Sequence, residues 1–170
     1  ADGTAVNLLA SVRSASAARR AVAAGARGIG LVRSEFLMPP DGGIPDADFY
    51  RHSFHELLDA ASPLPATVRL LDMAADKQPD WLPPATQAGQ PLGLQGVRLY
   101  HTPPVRQVVQ DQLTVLGELA PSHAIRLLVP FIVRLEEFCH WQQQVRELIP
   151  DTVPVGAMAV EVSLPDTLFL

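Results

Sequence analysis

The chain has 170 residues, of which 48% are hydrophobic and 18% are charged, so it has the size of one domain and can bury a core. A formal net charge of −5 argues against nucleic acid as a partner, although a local cluster of arginines can still bind a small anion. No apolar stretch reaches the roughly 18 residues of a membrane span, and the start lacks a signal-peptide pattern. We therefore expect a soluble protein.

The N-terminal segment predicts one β-α-β unit. The apolar run Val6–Val12 predicts a strand, and Ser14 is a suitable N-cap for an alanine-rich helix over residues 15–24. Gly25 is a typical residue to close that helix. The apolar run Gly28–Val32 then predicts a second strand, which is buried on both faces.

A loop rich in proline and glycine over residues 39–45 precedes the second predicted helix, for which Asp46 is the N-cap. Apolar residues share one face of this helix at helical spacing: Phe49, Phe54, Leu57, Leu58 and Ala61. The helix ends at Ser62–Pro63. Residues Thr67–Asp72 predict a third strand, which is apolar apart from its arginine and its final aspartate.

The second half of the chain continues the alternation of strands and helices. Its predicted elements, in chain order, are an irregular segment at 83–93, a helical turn at 97–100, a helix from Pro103 to about Gly117, a strand at Ile125–Phe131, a helix at Leu135–Ile149, a strand at Val153–Val162, and a further helix that opens at Pro165. Five apolar strands separated by helices predict an α/β fold with a parallel sheet.

Two arrangements of such a sheet fit the pattern. A doubly wound open sheet can be complete in 170 residues, whereas an eight-stranded barrel needs about 250 residues. Length alone favours the open sheet. However, no Gly-x-Gly-x-x-Gly turn follows the first predicted strand and no Walker-type loop occurs, so the usual phosphate-binding loops of open sheets are missing.

Charged residues stand at or near the C-terminal ends of three predicted strands: Arg33 with Glu35, Arg69 with Asp72, and Glu161. Parallel strands bring these ends to one edge of the sheet. Arginine binds phosphate or carboxylate groups bidentately, and carboxylates bind hard cations such as magnesium. The pattern therefore predicts a site for an anionic, phosphorylated substrate.

Five segments resemble the phosphoenolpyruvate-utilising enzymes and follow one another in the family's order. The second-strand motif GIGLxRTEFL resembles GIGLVRSEFL at residues 28–37, and the third-strand segment VRTxDIGGDK resembles VRLLDMAADK at 68–77. The motif FLGWRAIR resembles PLGLQGVR at 91–98, and the fourth and fifth strands LRIMFPMI and VGIMVET resemble IRLLVPFI at 125–132 and VGAMAVE at 155–161. Within this family the second-strand and third-strand segments are most similar to those of the phosphoenolpyruvate-protein phosphotransferases, the enzyme I group of the bacterial sugar phosphotransferase system.

The resemblance implies that residues 1–170 form a single domain, namely part of a phosphoenolpyruvate-binding TIM barrel with about strands one to five of eight. It implies that Arg33 and Arg69 bind the phosphate of phosphoenolpyruvate, that Arg98 lines the same site, and that Glu161 holds Mg2+. The residues with an implied supporting role are Glu35, Asp72, Lys77 and Gln95.

The resemblance also implies an activity and its partners. The activity is phosphoryl transfer from phosphoenolpyruvate, with pyruvate as product, to a phosphocarrier protein that is engaged through an N-terminal region absent from these residues. The parent enzyme is expected to be a homodimer in the bacterial cytoplasm. Because the family's second metal-binding carboxylate (segment GTNDL) and its proton-donating cysteine belong to later segments, we expect these 170 residues to be inactive alone.

Three departures from the family leave alternatives open. Gln95 replaces the first arginine of GWRAIR, Ala74-Ala75 replaces a glycine pair, and one additional residue separates Met158 from Glu161. A glutamine can donate hydrogen bonds to a phosphate but cannot neutralise it. The alternative is a degenerate, non-catalytic relic that binds phosphoenolpyruvate or a protein. A lyase or dikinase of the same superfamily is disfavoured by the third-strand segment.

Cys139 is the single cysteine, so no internal disulfide can form, and we expect it to be a buried apolar residue on a helix. The five histidines are expected to be ordinary surface or boundary residues: His52, His55, His101, His123 and His140. A five-stranded part of a barrel would leave its first and fifth strands as open edges. We therefore expect the isolated chain to self-associate.

Overall fold

The structure is a computed structural model, and it describes residues 3–73, 79–82 and 96–159. A parallel sheet of five strands runs through the described residues in the order β1-β2-β3-β4-β5. The strands are β1 Leu9–Val12, β2 Gly28–Arg33, β3 Ala66–Arg69, β4 Ile125–Ile132 and β5 Val155–Ala159.

Helices connect the strands. The α-helices are α1 Ala15–Ala23, α2 Ala47–Ala61, α3 Val105–Leu119 and α4 Leu135–Arg146, and two 3-10 segments cover Ser34–Phe36 and Gly96–His101. Helix α1 packs against α2, and α2 packs against α3, so these three helices lie side by side over the sheet. None of the helices within the described ranges is long and apolar enough to cross a membrane.

The order of the strands decides between the two sheet arrangements. In a doubly wound sheet the strand order reverses at a switch point, whereas in a barrel wall each strand lies beside the next strand in the chain. Every strand here pairs in parallel with its sequence neighbour, so the sheet is of the barrel type and the prediction of an α/β fold is confirmed. Within the described residues the wall is not closed, since β1 and β5 each have one neighbour. The extent of the domain, residues 1–170, stays a prediction.

Both predicted N-caps are confirmed. The hydroxyl of Ser14 accepts a hydrogen bond from the backbone N–H of Ala17 at 3.3 Å, and the carboxylate of Asp46 accepts one from Phe49 at 2.8 Å. Each cap satisfies an N–H group that the first turn of a helix leaves without a partner. The helix starts are therefore determined by local sequence.

Helix α2 supplies the largest side chains of the core. Tyr50 and Phe54 are fully buried and stack with ring centroids 5.4 Å apart. They belong to one buried cluster with Val32 of β2 and Val68 of β3, which are also fully buried. Burial of a large apolar side chain contributes roughly 1.5–3 kcal/mol, so this cluster holds the C-terminal halves of β2 and β3 firmly in place.

Two strands are shorter than the sequence predicts. Strand β1 begins at Leu9, and the preceding Val6 and Leu8 are exposed at 74% and 71% without a place in the sheet. Strand β3 ends at Arg69 because the backbone of Leu71 bonds to side chains and not to a neighbouring strand. The N–H of Leu70 still bonds to β4, but the N–H and C=O of Leu71 bond to the side chains of Gln112 and Tyr100.

The other boundaries differ by small amounts, apart from segments that the structure does not describe. Helix α3 continues past Gly117 to Leu119, α4 ends at Arg146 before the predicted Ile149, and β5 covers the middle of the predicted Val153–Val162. The predicted irregular segment at 83–93 and the helix that opens at Pro165 lie outside the described residues.

The expectation that Cys139 is buried is wrong. Helix α4 buries Phe138 and Val145, which lie on one face. Cys139 directly follows Phe138 and is therefore rotated by about 100° from that face, so its thiol is exposed. The histidines agree with the prediction, since all are exposed except His123, which is half-buried.

Candidate functional site

The register of β2 and β3 places two predicted site residues side by side. Arg33 is the last residue of β2, Arg69 is the last residue of β3, and the two are direct partners in the parallel ladder. Their guanidinium groups therefore start from neighbouring positions at the C-terminal edge of the sheet. Two like charges this close repel each other, and an anion between them offsets the repulsion.

Glu35 supplies that anion. The 3-10 turn Ser34–Phe36 follows β2 at once and brings Glu35 back over the strand ends. Its Oε1 accepts a hydrogen bond from Nε of Arg33 at 2.9 Å and another from Nη2 of Arg69. Only 5% of the Glu35 side chain is exposed, so one sequestered carboxylate joins both arginines.

Arg69 is enclosed more tightly than Arg33. Its Nη1 lies 3.0 Å from Oδ2 of Asp72 and donates to the sulfur of Met158 at 3.4 Å. Its side chain is 9% exposed, and its Nε is buried without a hydrogen-bond partner among the described residues. Both terminal nitrogens of Arg69 are thus engaged, one by Glu35 and one by Asp72.

Arg33 faces solvent. Its side chain is 36% exposed, and its guanidinium carbon lies 4.7 Å from the centroid of the Phe36 ring, which supports it from one side. Because Glu35 bonds to Nε, it leaves the two terminal nitrogens of Arg33 without a hydrogen-bond partner among residues 3–73, 79–82 and 96–159. Arg13, which directly follows β1, lies 5.8 Å from the same ring and adds a positive charge that the sequence did not predict for this edge.

Arg33, Glu35, Arg69 and Asp72 form one cluster of contacting charges, and within these four described residues the charges balance. Arg33 and Arg69 carry two positive charges, and Glu35 and Asp72 carry two negative charges when both are ionised. Burial raises the pKa of Asp72, and the attraction of Arg69 only partly offsets this effect, while the charge of Glu35 adds to it. Protonation of Asp72 therefore gives the cluster a net positive charge at a less acidic pH than an ordinary carboxyl group would.

Two buried polar side chains that the sequence did not predict as site residues hold the backbone beside Asp72. The hydroxyl of Tyr100 donates to the C=O of Leu71 at 2.6 Å, and Oε1 of Gln112 accepts from the N–H of Leu71 at 3.1 Å. Tyr100 is 2% exposed and Gln112 is fully buried. Gln112 was detectable, since it is a polar residue on the apolar face of α3; Tyr100 carried no comparable signal.

Arg98 pairs with a different carboxylate, Glu137. It lies in the 3-10 segment Gly96–His101, its Nε is 3.7 Å from Oε1 of Glu137, and its guanidinium group lies 5.6 Å from the ring centroid of Phe131. Glu137 is fixed in turn by the backbone N–H of Val133 at 2.9 Å. Arg98 is therefore positioned at the C-terminal end of β4, and its role in binding stays a prediction.

Three predicted site residues, Lys77, Gln95 and Glu161, lie outside the described residues, as does Ala74-Ala75. Within residues 3–73, 79–82 and 96–159, no group of three or more histidine, cysteine, aspartate or glutamate side chains is arranged to hold a metal ion. The two carboxylates of the described cluster, Glu35 and Asp72, are bound to Arg69. The magnesium prediction thus rests on Glu161 and stays a prediction.

The fold and the cluster define a class of protein. It is an α/β protein with a barrel-type parallel sheet whose C-terminal edge carries paired arginines suited to a small anion. The family model described as "PEP-utilising enzyme, PEP-binding domain" matches residues 1–162. The chain belongs to this family, and the resemblance drawn from its motifs is confirmed.

Curated relatives agree with this assignment. The chain is 28% identical to a multiphosphoryl transfer protein of Rhodobacter capsulatus over 166 aligned residues. The alignment covers 96% of this chain and 19% of the relative. It is also 35% identical to two phosphoenolpyruvate-protein phosphotransferases. The alignment with the protein of Cupriavidus necator covers 80% of this chain and 23% of the relative, and the alignment with the protein of Streptomyces coelicolor covers 75% of this chain and 23% of the relative. The chain spans about a fifth of the length of these relatives.

Proposed function

We propose that this chain binds phosphoenolpyruvate at the C-terminal edge of its sheet and contributes this binding to phosphoryl transfer in a phosphoenolpyruvate-protein phosphotransferase. The observation that carries the proposal is the pairing of Arg33 and Arg69 as direct register partners at the strand ends. The family match and the printed names of the relatives support the choice of ligand.

In this proposal the arginines neutralise the phosphoryl group. Arg33 offers its terminal nitrogens to the phosphate, and Arg69 approaches from the neighbouring strand. Such fixed cations stabilise charge on a transferring phosphoryl group more strongly than water does, because they need no reorganisation during the reaction. Arg98, Lys77 and Gln95 are proposed to complete the binding of the substrate.

Magnesium is proposed as the cofactor, held by Glu161, because carboxylate oxygens are the donors that this ion prefers. When bound, the ion supplies Lewis-acid stabilisation of negative charge on oxygen. Because the chain spans about a fifth of its relatives, we propose that catalysis needs more than these 170 residues. The phosphocarrier partner, the homodimeric state and the cytoplasmic location are proposed for the whole protein only.

Binding can be tested by calorimetric titration of phosphoenolpyruvate, with and without Mg2+, into the wild-type chain and into Arg33→Ala and Arg69→Ala. A charge-assisted hydrogen bond contributes about 1.5–3 kcal/mol, so each substitution should weaken binding by roughly tenfold or more. Arg126→Ala is the matched control, because Arg126 is an exposed arginine at the opposite, N-terminal end of β4. Absence of binding by the wild type, or an equal loss in the control, would contradict the proposal.

A non-catalytic relic is the second candidate, and the replacement of a family arginine by Gln95 favours it. Both candidates bind phosphoenolpyruvate, but only the transferase catalyses transfer of its phosphoryl group. Transfer of labelled phosphoryl groups from phosphoenolpyruvate by the natural protein that carries this chain would support the transferase. Binding with an affinity like that of active relatives, but without transfer in the presence of Mg2+, would support the relic.

A further inference from the structure

Glu35 contacts both arginines of the proposed anion site, at Nε of Arg33 and at Nη2 of Arg69. Its Oε1 accepts from both Arg33 and Arg69, and its side chain is 5% exposed. Its Oε2 is buried and has no hydrogen-bond partner within the described part of the chain. If stability were the only role of Glu35, this arrangement would be unfavourable, because one of the two carboxylate oxygens is buried without a hydrogen bond from a described residue.

The two arginines are bound unequally. Glu35 contacts Arg33 only through Nε, so the terminal nitrogens of this partly exposed residue can receive an anion directly. Arg69 has both terminal nitrogens on carboxylates, one on Glu35 and one on Asp72. Each terminal nitrogen carries two N–H groups, so an anion that binds Arg69 bidentately through both nitrogens must share them with these carboxylates or replace one of them.

We propose that Glu35 is a positioning residue that acts as a resident counter-ion, which fixes the spacing of Arg33 and Arg69 and competes with the substrate's phosphoryl group for them. The inference rests on the proposed function, because it assigns a role to Glu35 in the same site. A purely structural ion pair would behave differently. Its neutralisation would lower stability without increasing the affinity for anions.

The substitution Glu35→Gln separates these roles. Glutamine has the same size and keeps an oxygen acceptor for both arginines, but it removes one negative charge from beside the anion site. At the effective dielectric constant of a protein surface this change should tighten the binding of inorganic phosphate by about tenfold or more. Glu35→Ala also removes the acceptor, so the guanidinium groups lose their fixed spacing and phosphate should bind more weakly than to Glu35→Gln.

Calorimetry with inorganic phosphate on the whole chain provides the test, with Glu118→Gln as the matched control. Glu118 accepts from Arg51 at 2.9 Å on the exposed helical surface, so its neutralisation removes the same charge from beside another arginine and should leave phosphate binding unchanged. Tighter binding by Glu35→Gln alone supports the counter-ion role. Unchanged or weaker binding by this variant overturns it.

A measurement on the wild type covers the case in which Glu35→Gln does not fold. The carboxyl carbon of Glu35 should shift in the 13C spectrum when phosphate is added to saturation, because the anion displaces its hydrogen bonds. A Glu35 signal that stays fixed at saturation would overturn the proposal.

The outcomes also separate this inference from the proposed function. If the wild type binds phosphoenolpyruvate but Glu35→Gln shows no gain, the proposed function stands and the counter-ion role fails. If phosphate binds Glu35→Gln more tightly while phosphoenolpyruvate binds neither protein, the counter-ion role stands and the proposed function fails. If neither ligand binds either protein, both fail.

Discussion

Replacement of Tyr100 by phenylalanine should destabilise the chain by removing one buried hydrogen bond. The Tyr100 hydroxyl donates to the C=O of Leu71 at 2.6 Å, and burial raises the pKa of this phenol, so it remains a donor throughout the neutral range. Tyr100→Phe leaves the Leu71 carbonyl without this donor, which should cost about 1–2 kcal/mol. For a chain of this size, each kcal/mol lowers Tm by roughly 2–4 °C.

Tyr50→Phe is the matched control for this prediction. The Tyr50 hydroxyl is also buried and has the Gln112 side chain as a polar neighbour, but no hydrogen bond within normal distance and angle limits joins it to a described residue. Its removal should therefore be nearly neutral. Urea unfolding can be followed by the fluorescence of Trp141, whose ring lies 5.0 Å from that of Tyr100. Equal losses of stability in the two variants would refute the argument that the bond to Leu71 matters.

Three further predictions follow from backbone conformation, pH and exposed edges. Gly96→Ala should lower the free energy of unfolding in urea by about 2 kcal/mol or more, because Gly96 has φ +54° and a Cβ there would lie 2.3 Å from Cβ of Phe131. The control Gly42→Ala, at φ +75° with open space around it, should lower it by about 1 kcal/mol. Sulfate, which stays a dianion, should bind more tightly as the pH falls through the raised pKa of Asp72, and calorimetry on Asp72→Asn should show tight binding without this pH dependence. The chain should sediment as oligomers that Leu8→Lys reduces, since Leu8 is 71% exposed beside the open edge of β1; a monodisperse wild-type monomer would contradict this.

The parts of the fold that depend on local sequence were predictable. Ser14 and Asp46 are the observed N-caps because a cap is formed within one helical turn. The apolar run before Arg33 forms a buried strand, and the strand order that settles the type of sheet agrees with the family resemblance. Length alone pointed to the wrong arrangement, because length carries no information about which strands are neighbours.

Contacts between distant residues were not predictable in the same way. The end of β3 depends on Gln112 and Tyr100, which lie on later elements and replace the strand partners of Leu71. The exposure of Cys139 depends on which face of α4 meets the sheet, and the burial preference of free cysteine says nothing about that face. In the site, the sequence placed Arg33 and Arg69 at one edge but did not show that one carboxylate joins them.

The charge balance explains why a carboxylate stands between arginines that are proposed to bind an anion. Register places Arg33 and Arg69 side by side, and without ligand their mutual repulsion would drive one guanidinium group away. Glu35 is buried by the turn that ends β2, so it can hold both groups in place before any substrate arrives. For this role, Glu35 must bind the two arginines strongly enough to organise the site and weakly enough for a phosphoryl group to replace it. A single oxygen shared by both arginines, while the other oxygen has no hydrogen-bond partner in the described part of the chain, is an arrangement that can satisfy both requirements.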